Sequence, residues 1–299
     1  MRIGIFGGEP SGIDQAISHA KTAADQGFSG YWVSQIFGFD NLTVLAIIGR
    51  EVPGIELGTG VVPTYPRHPM MLAQQALTVN VAAGGRLALG IGLSHQIVIE
   101  NMFGMSFDKP LRHMREYLSI LVPLIQTGSV SFAGETLRAS ATIDVPGATP
   151  CPVLVAALGP KMLELAGTVA DGTVTWMTGA NTLGSFTVPT ITKAAAAADR
   201  PSPRIGSAMP VCVTSDVDGA KARAATIYAM YGMLPSYRAM LDREGAAGPE
   251  DLAIVGDEAV VRAEIGRLED AGVTDFVAAE FGAGADEKQR TRELLRSLL

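Results

Sequence analysis

Apolar and polar positions follow a two-part rhythm along this chain. A β-branched run, Arg2 to Phe6, precedes Ile13 to Gln26, where Ile13, Ile17, Ala20 and Ala24 recur at helical spacing and Gly27 supplies a stop. The unit repeats as Gly30 to Ser34 with Leu42 to Val52, Ile55 to Val62 with Met70 to Ala83, and Leu87 to Gly92 with Pro110 to Thr127. It resumes as Val153 to Ala157 with Pro160 to Ala170, Gly172 to Trp176 with Leu183 to Asp199, Ile205 to Val213 with Gly219 to Gly232, and Val273 to Ala279 with Ala285 to Leu298. Eight continuous apolar runs joined by helical crossovers predict a parallel sheet buried on both faces. A closed (β/α)8 TIM barrel accounts for that count better than an open sheet, with residues 1–299 as one domain.

Two stretches break the rhythm. Ser129 to Val145 carries the turn Phe132-Ala133-Gly134-Glu135 between strand-like residues, which predicts a β-hairpin insertion, expected over the barrel mouth. Pro235 to Gly272 predicts extra helices before the last strand, one of them Asp257 to Ala271 with an Asp257 N-cap and a Gly272 stop.

Composition narrows the function classes. With 47% hydrophobic and 18% charged residues the chain can bury a sizeable core, which excludes extensive disorder. A net charge of −7 has the wrong sign for holding a phosphate backbone, so no nucleic-acid partner is expected. Cys151 and Cys212 stand far apart, which fits a reducing, cytoplasmic setting rather than a disulfide framework. Neither a signal-peptide apolar region nor a run of the ~20 residues needed to span a membrane is found. No H-E-x-x-H, His–carboxylate cluster or G-x-S-x-G occurs, so no metal site is expected and a hydrolase is poorly supported.

In such a barrel, chemistry belongs at the C-terminal strand ends. Glycines gather there: Phe6-Gly7-Gly8-Glu9, Gly60-Val61-Val62, Gly92-Leu93-Ser94-His95 and Ala157-Leu158-Gly159-Pro160. They either end strands or let a flat ligand approach the main chain. Gly159-Pro160-Lys161 at a helix start is either an anion site or simple capping. His95 is the one histidine close to a predicted strand end. His19 and His113 fall in helices, and His68 precedes one, where it caps or lines the mouth. Glu9 is the only acidic candidate, and a loop Glu beside Gly and Pro is more often solvated.

The runs Gly58-Thr59-Gly60-Val61-Val62-Pro63-Thr64, Arg67-His68-Pro69, Leu72-Ala73-Gln74-Gln75-Ala76 and Gly85-Arg86-Leu87-Ala88-Leu89-Gly90-Ile91-Gly92 resemble the luciferase-like monooxygenase superfamily, in particular its coenzyme F420-dependent branch. Gly159-Pro160-Lys161-Met162, Ala170-Asp171-Gly172 and Val255-Gly256-Asp257 agree, so the resemblance covers nearly the whole chain. It implies an oxidoreductase that binds a deazaflavin at the strand ends and exchanges a hydride with a small-molecule substrate. It also implies a homodimer, to which Leu42, Leu45, Ile48, Met70, Met71 and Leu72 offer apolar helix surface.

By the same resemblance a non-prolyl cis bond at Gly60–Val61 presses on the coenzyme ring, with Leu93, Ser94 and His95 beside it. Ala157, Leu158, Gly159 and Pro160 then meet its phosphate. The chain departs from the pattern at Gln35-Ile36, where many relatives carry an acid and a histidine for proton transfer. Gln35 is left beside the coenzyme, and His95 becomes the candidate proton donor. Two other readings stay open: an FMN-dependent monooxygenase, and a coenzyme carrier without turnover.

Overall fold

The computed structural model describes residues 1–299. The chain opens with β1 (Arg2–Gly8), α1 (Ile13–Asp25), β2 (Gly30–Val33), α2 (Asn41–Glu51), β3 (Glu56–Thr59), β4 (Val62–Pro63) and α3 (Pro69–Ala82). It continues through β5 (Leu87–Gly92), α4 (Gln96–Asn101), α5 (Pro110–Thr127), the hairpin strands β6 (Ser129–Ala133) and β7 (Arg138–Thr142), β8 (Val153–Val155) and α6 (Pro160–Val169). Next come β9 (Gly172–Trp176), α7 (Ala180–Thr182), which runs through a π turn at Leu183–Thr187 into α8 (Val188–Ala197), and β10 (Arg204–Val213). The last part holds α9 (Val217–Ile227), α10 (Ala229–Met233), α11 (Pro235–Glu244), β11 (Ile254–Gly256), α12 (Glu258–Asp270), β12 (Asp275–Glu280) and α13 (Ala285–Arg296).

Eight parallel strands pair in the order β1, β2, β3, β5, β8, β9, β10, β12, and β12 pairs back onto β1 with Arg2 opposite Asp275. The sheet therefore closes, as the eight-fold rhythm predicts. Two details differ from the sequence reading. The third barrel strand is not continuous: β3 and β4 are separated by Gly60–Val61, whose peptide bond is cis. The insertion before the last strand also holds a strand, β11, which pairs with the upper end of β10.

Side chains fill the barrel in tiers. At the N-terminal ends of the strands Arg204 donates to Glu56 and Asp275 at 2.7–3.1 Å, and Arg2 joins both carboxylates. Above them Trp32, Ala88, Leu154, Val174, Ala208 and Val277 form an inner apolar set. Gly58 makes room for the Trp32 ring, since a Cβ there would lie 2.2 Å from it. Phe6, Val61 and Trp176 rest on top of this set, at the mouth. Outside the barrel, 65 buried apolar residues fill the layer under the helices.

The hairpin is present, but not over the mouth. It lies along α5, where the Glu116 carboxylate accepts the N–H groups of Glu135, Thr136 and Leu137 and the Thr136 hydroxyl. Arg112, one turn earlier in α5, pairs with Glu135. The surface invoked for a dimer is also largely internal: Leu42, Leu45, Ile48 and Leu72 are fully buried within the chain, because α2, α3 and α5 pack on one another. Of that set only Met71 is exposed, so the homodimer expectation rests on the resemblance alone.

Candidate active site

The C-terminal ends of the strands meet in a cluster of rings. Phe6 stacks on Trp176 at 5.5 Å between ring centres, and Tyr228 and Tyr231 meet Trp176 edge-on at 5.7 and 5.9 Å. Tyr231 meets Tyr237 at 4.9 Å, and Tyr237 lies 6.0 Å from the His95 ring. Gly60 backs onto Phe6, with the ring 3.0 Å from where a Cβ would sit, and Val61 lies against Gly90 and Gly92 of β5. The result is an apolar floor crossed by a line of aromatic rings from Phe6 to His95.

His95 follows β5 as the N-cap of α4, and Ser94 before it adopts a left-handed backbone, φ 62°. Its ring is half-buried, and burial holds its pKa below the usual 6.5, so the free imidazole is neutral at pH 7. His113, on α5, is a structural residue. Its Nε2 lies 3.0 Å from Thr64 Oγ1, its ring stacks on Tyr65 at 3.9 Å, and burial pushes its pKa down to about 4 against an opposing pull from Glu116. His68 N-caps α3, its Nδ1 accepting from Met70 N–H.

The start of α6 is the polar counterpart of this floor. Gly159 caps the helix with no side-chain partner, and a Cβ on it would meet open space. No group of the chain accepts from the N–H of Ala157, Leu158, Gly159 or Lys161, and the Lys161 ammonium forms no ion pair. Those amides and the positive end of the helix suit an anion. Gly159 and Pro160 are exposed, Leu158 is half-buried, and Ala157 is fully buried. At the neighbouring helix start the Glu244 carboxylate already accepts the N–H groups of Asn181 and Thr182.

Other expected residues hold loops. Gln35 Oε1 accepts from Asn41 N–H at the start of α2, and Glu9 accepts from the N–H groups of Phe37 and Gly38. Leu93 is partly buried against the core. Sequence reasoning missed Tyr228, Tyr231 and Tyr237. The one signal that could have found them is the uncharged, aromatic-rich stretch Ile227 to Tyr237. No group of three or more His, Cys, Asp or Glu side chains is arranged to hold a metal, and no helix is long and apolar enough to cross a membrane.

Residues 1–275 match the profile of the luciferase-like monooxygenase family. The chain is 31% identical to a 5,10-methylenetetrahydromethanopterin reductase of Methanolobus tindarius over 96% of its own length and 88% of that protein's. It is 31% identical to a Mycobacterium tuberculosis protein named as a coenzyme F420-dependent oxidoreductase, over 58% of this chain and 53% of that one. The fold superposes on the coenzyme F420-dependent tetrahydromethanopterin reductase of Methanopyrus kandleri with a TM-score of 0.82 at 21% identity, covering 99% and 97% of the two chains. With the barrel, the cis bond after its third strand and the family profile in agreement, the chain belongs to the luciferase-like monooxygenase family.

Proposed function

We propose that this chain is an oxidoreductase that binds coenzyme F420 at the barrel mouth and works as a reductase on a small organic substrate. The observation that carries this reading is the set of unpartnered amides at the start of α6, with Lys161 beside them, opening next to the apolar floor of Phe6, Val61 and Trp176. A coenzyme with a flat ring and a phosphate-bearing tail needs both surfaces. The relatives named for coenzyme F420 support the choice of deazaflavin.

When bound, the deazaflavin supplies the hydride, and the protein's task is placement, exclusion of water and proton movement. Leu158 and Gly159 would hold the phosphate through their unpartnered backbone N–H groups, with the buried Ala157 amide behind them. Val61, Leu93 and Ser94 would border the ring, and Phe6 and Trp176 would keep water from the floor beneath it. Gln35 shapes the adjoining loop through its bond to Asn41. The protonated form of His95, whose share grows as pH falls, would give a proton to the substrate oxygen as the substrate carbon is reduced, and the neutral imidazole left behind would take a proton back from solvent. With the acid–histidine pair absent at Gln35-Ile36, His95 is the one titratable ring near the floor suited to this work.

Parallel equilibrium titrations of the purified protein with coenzyme F420 and with FMN test the reading. F420 is expected to bind at micromolar concentration and FMN at least about tenfold more weakly, a difference of ~1.4 kcal/mol. FMN binding without F420 binding would establish the monooxygenase reading instead. F420 binding without turnover of any substrate in a broad screen would leave a carrier.

A further inference from the structure

Three chain segments around the mouth carry almost no charge. Gln35 to Phe39 has none, Gly92 to Phe107 has only Glu100, and Ile227 to Tyr237 has none. Yet their apolar side chains are not tucked away: Phe37 is 59% exposed, Ile97 61%, Met102 60% and Met233 77%. Large apolar side chains left in water cost free energy unless something covers them, and a contiguous group of them marks a binding surface.

These loops are built to hold that presentation. Glu9 spends its carboxylate on the amides of Phe37 and Gly38. Asp40, at the end of the same loop, caps α2 through Thr43 and pairs with Arg67. Behind Met102, the N–H groups of Phe103 and Met105 are bonded to Val98 and Ile99 carbonyls. Glu9 and Asp40 are thus engaged within the loops, and Glu100 accepts only from the Gln96 amide, while the apolar groups face outward. Tyr237 of the third segment lies 6.0 Å from His95 of the second, and Tyr231 packs on the Trp176 of the floor, so these two segments adjoin the proposed hydride-transfer site. The cationic and amide-rich start of α6 lies on another strand end and serves the coenzyme tail.

From this division we infer that the substrate is an uncharged, predominantly apolar molecule, with an alkyl or aromatic body held by the rim and its reducible group over the floor. The inference rests on the proposed function for the identity of the reacting site, but the surface itself is independent of which coenzyme binds. Small-molecule occupancy is favoured over a second copy because the rim arises from three separate strand–helix connections at the strand ends that carry the ring cluster. A flat isologous contact would not need that floor.

The test is a binding series read by calorimetry, with and without saturating coenzyme F420. The probes are 2-pentanone, 2-heptanone and 2-nonanone beside the carboxylates of five, seven and nine carbons. Affinity for the ketones is expected to rise about two- to fourfold per methylene, as burial of each CH2 requires. The carboxylates should bind at least about tenfold more weakly than the matching ketones, since the rim offers a charge no partner. In Phe37→Asp/Met102→Asp the chain-length gain should vanish while F420 affinity stays within about twofold. A series with no dependence on length, or carboxylates that bind as well as ketones, would overturn the inference. So would a double variant that falls from dimer to monomer in light scattering with ketone binding intact, since the rim would then be a subunit contact. Failure of F420 to bind, with the ketone series behaving as expected, would count against the proposed coenzyme and not against the apolar site.

Discussion

The two ends of the barrel are made of opposite materials. At the N-terminal end the side chains are charged, and each finds its partner: Arg2 and Arg204 face Glu56 and Asp275, with Asp275 nearly buried. The Arg204 guanidinium is pushed above its ordinary pKa because the bonds to both carboxylates outweigh the burial that opposes them. At the C-terminal end the floor is aromatic, backbone donors at α6 go unused, and apolar side chains stand in water. A polar network in which every member is paired fixes a structure; donors and apolar surface without partners invite a ligand. The same eight strands thus carry a closed end that holds the fold and an open end that costs stability.

Breaking the closed end should have the largest effect. Arg204→Ala leaves Glu56 and the buried Asp275 with only the half-exposed Arg2 as partner, and is expected to cost about 2–4 kcal/mol in urea unfolding. A loss under about 1 kcal/mol would show that the network is dispensable. At the open end, His95→Ala is expected to lower kcat by about 10²-fold with F420 affinity little changed, the usual scale of a general acid. Because burial lowers the His95 pKa, wild-type kcat should rise as pH falls through that pKa, and the variant should lose this limb. An unchanged kcat in the variant would remove His95 from the reaction.

A smaller effect lies on the flank between the two ends. His113 is neutral in the fold with its pKa near 4, so the unfolded chain binds its proton first as pH falls, and stability should drop between about 6.5 and 4. Glu116 adds a second loss at lower pH, with hydrogen bonding rather than burial as the cause of its lowered pKa. Burial pushes its carboxyl up, but the bonds from Thr136, Leu137 and Glu135 together hold it near 2, so stability present above about 4.5 is lost as pH falls toward 2. Thermal melts should show the first decline, about 2–4 °C, and His113→Phe should flatten it while leaving the second. Identical pH profiles for the two proteins would contradict the assignment.

Much of this was legible in the sequence because it is local. Each barrel strand is a short apolar run beside an amphipathic segment, and the hairpin announces itself by its turn. β11 escaped notice because three residues pairing only with the upper end of the long strand β10 leave no periodicity to read. The hairpin's place along α5 depends on Glu116, a mid-helix acid that looks like a solvated one until the turn amides reach it. The apolar residues of α2 and α3 suggested an outer surface for the same reason: a helix wedged between two others is apolar on more than one side. At the site, backbone features such as Gly159 were visible in the motif. The tyrosines of α9 to α11 were not, since their contacts with Trp176 and His95 join residues about 50 to 140 apart.

The claim that the open end is shaped for a coenzyme with an anionic tail is tested most directly by Gly159→Asp, with F420 affinity and melting temperature measured on the same preparation. A Cβ at this position meets nothing, so the fold should tolerate the change, whereas the carboxylate stands at the amides proposed to receive the phosphate. The account predicts at least about a tenfold loss of F420 affinity, ~1.4 kcal/mol, with the melting temperature within about 2 °C of the parent. Unchanged F420 affinity, or losses of affinity and stability that match in free energy, would contradict it.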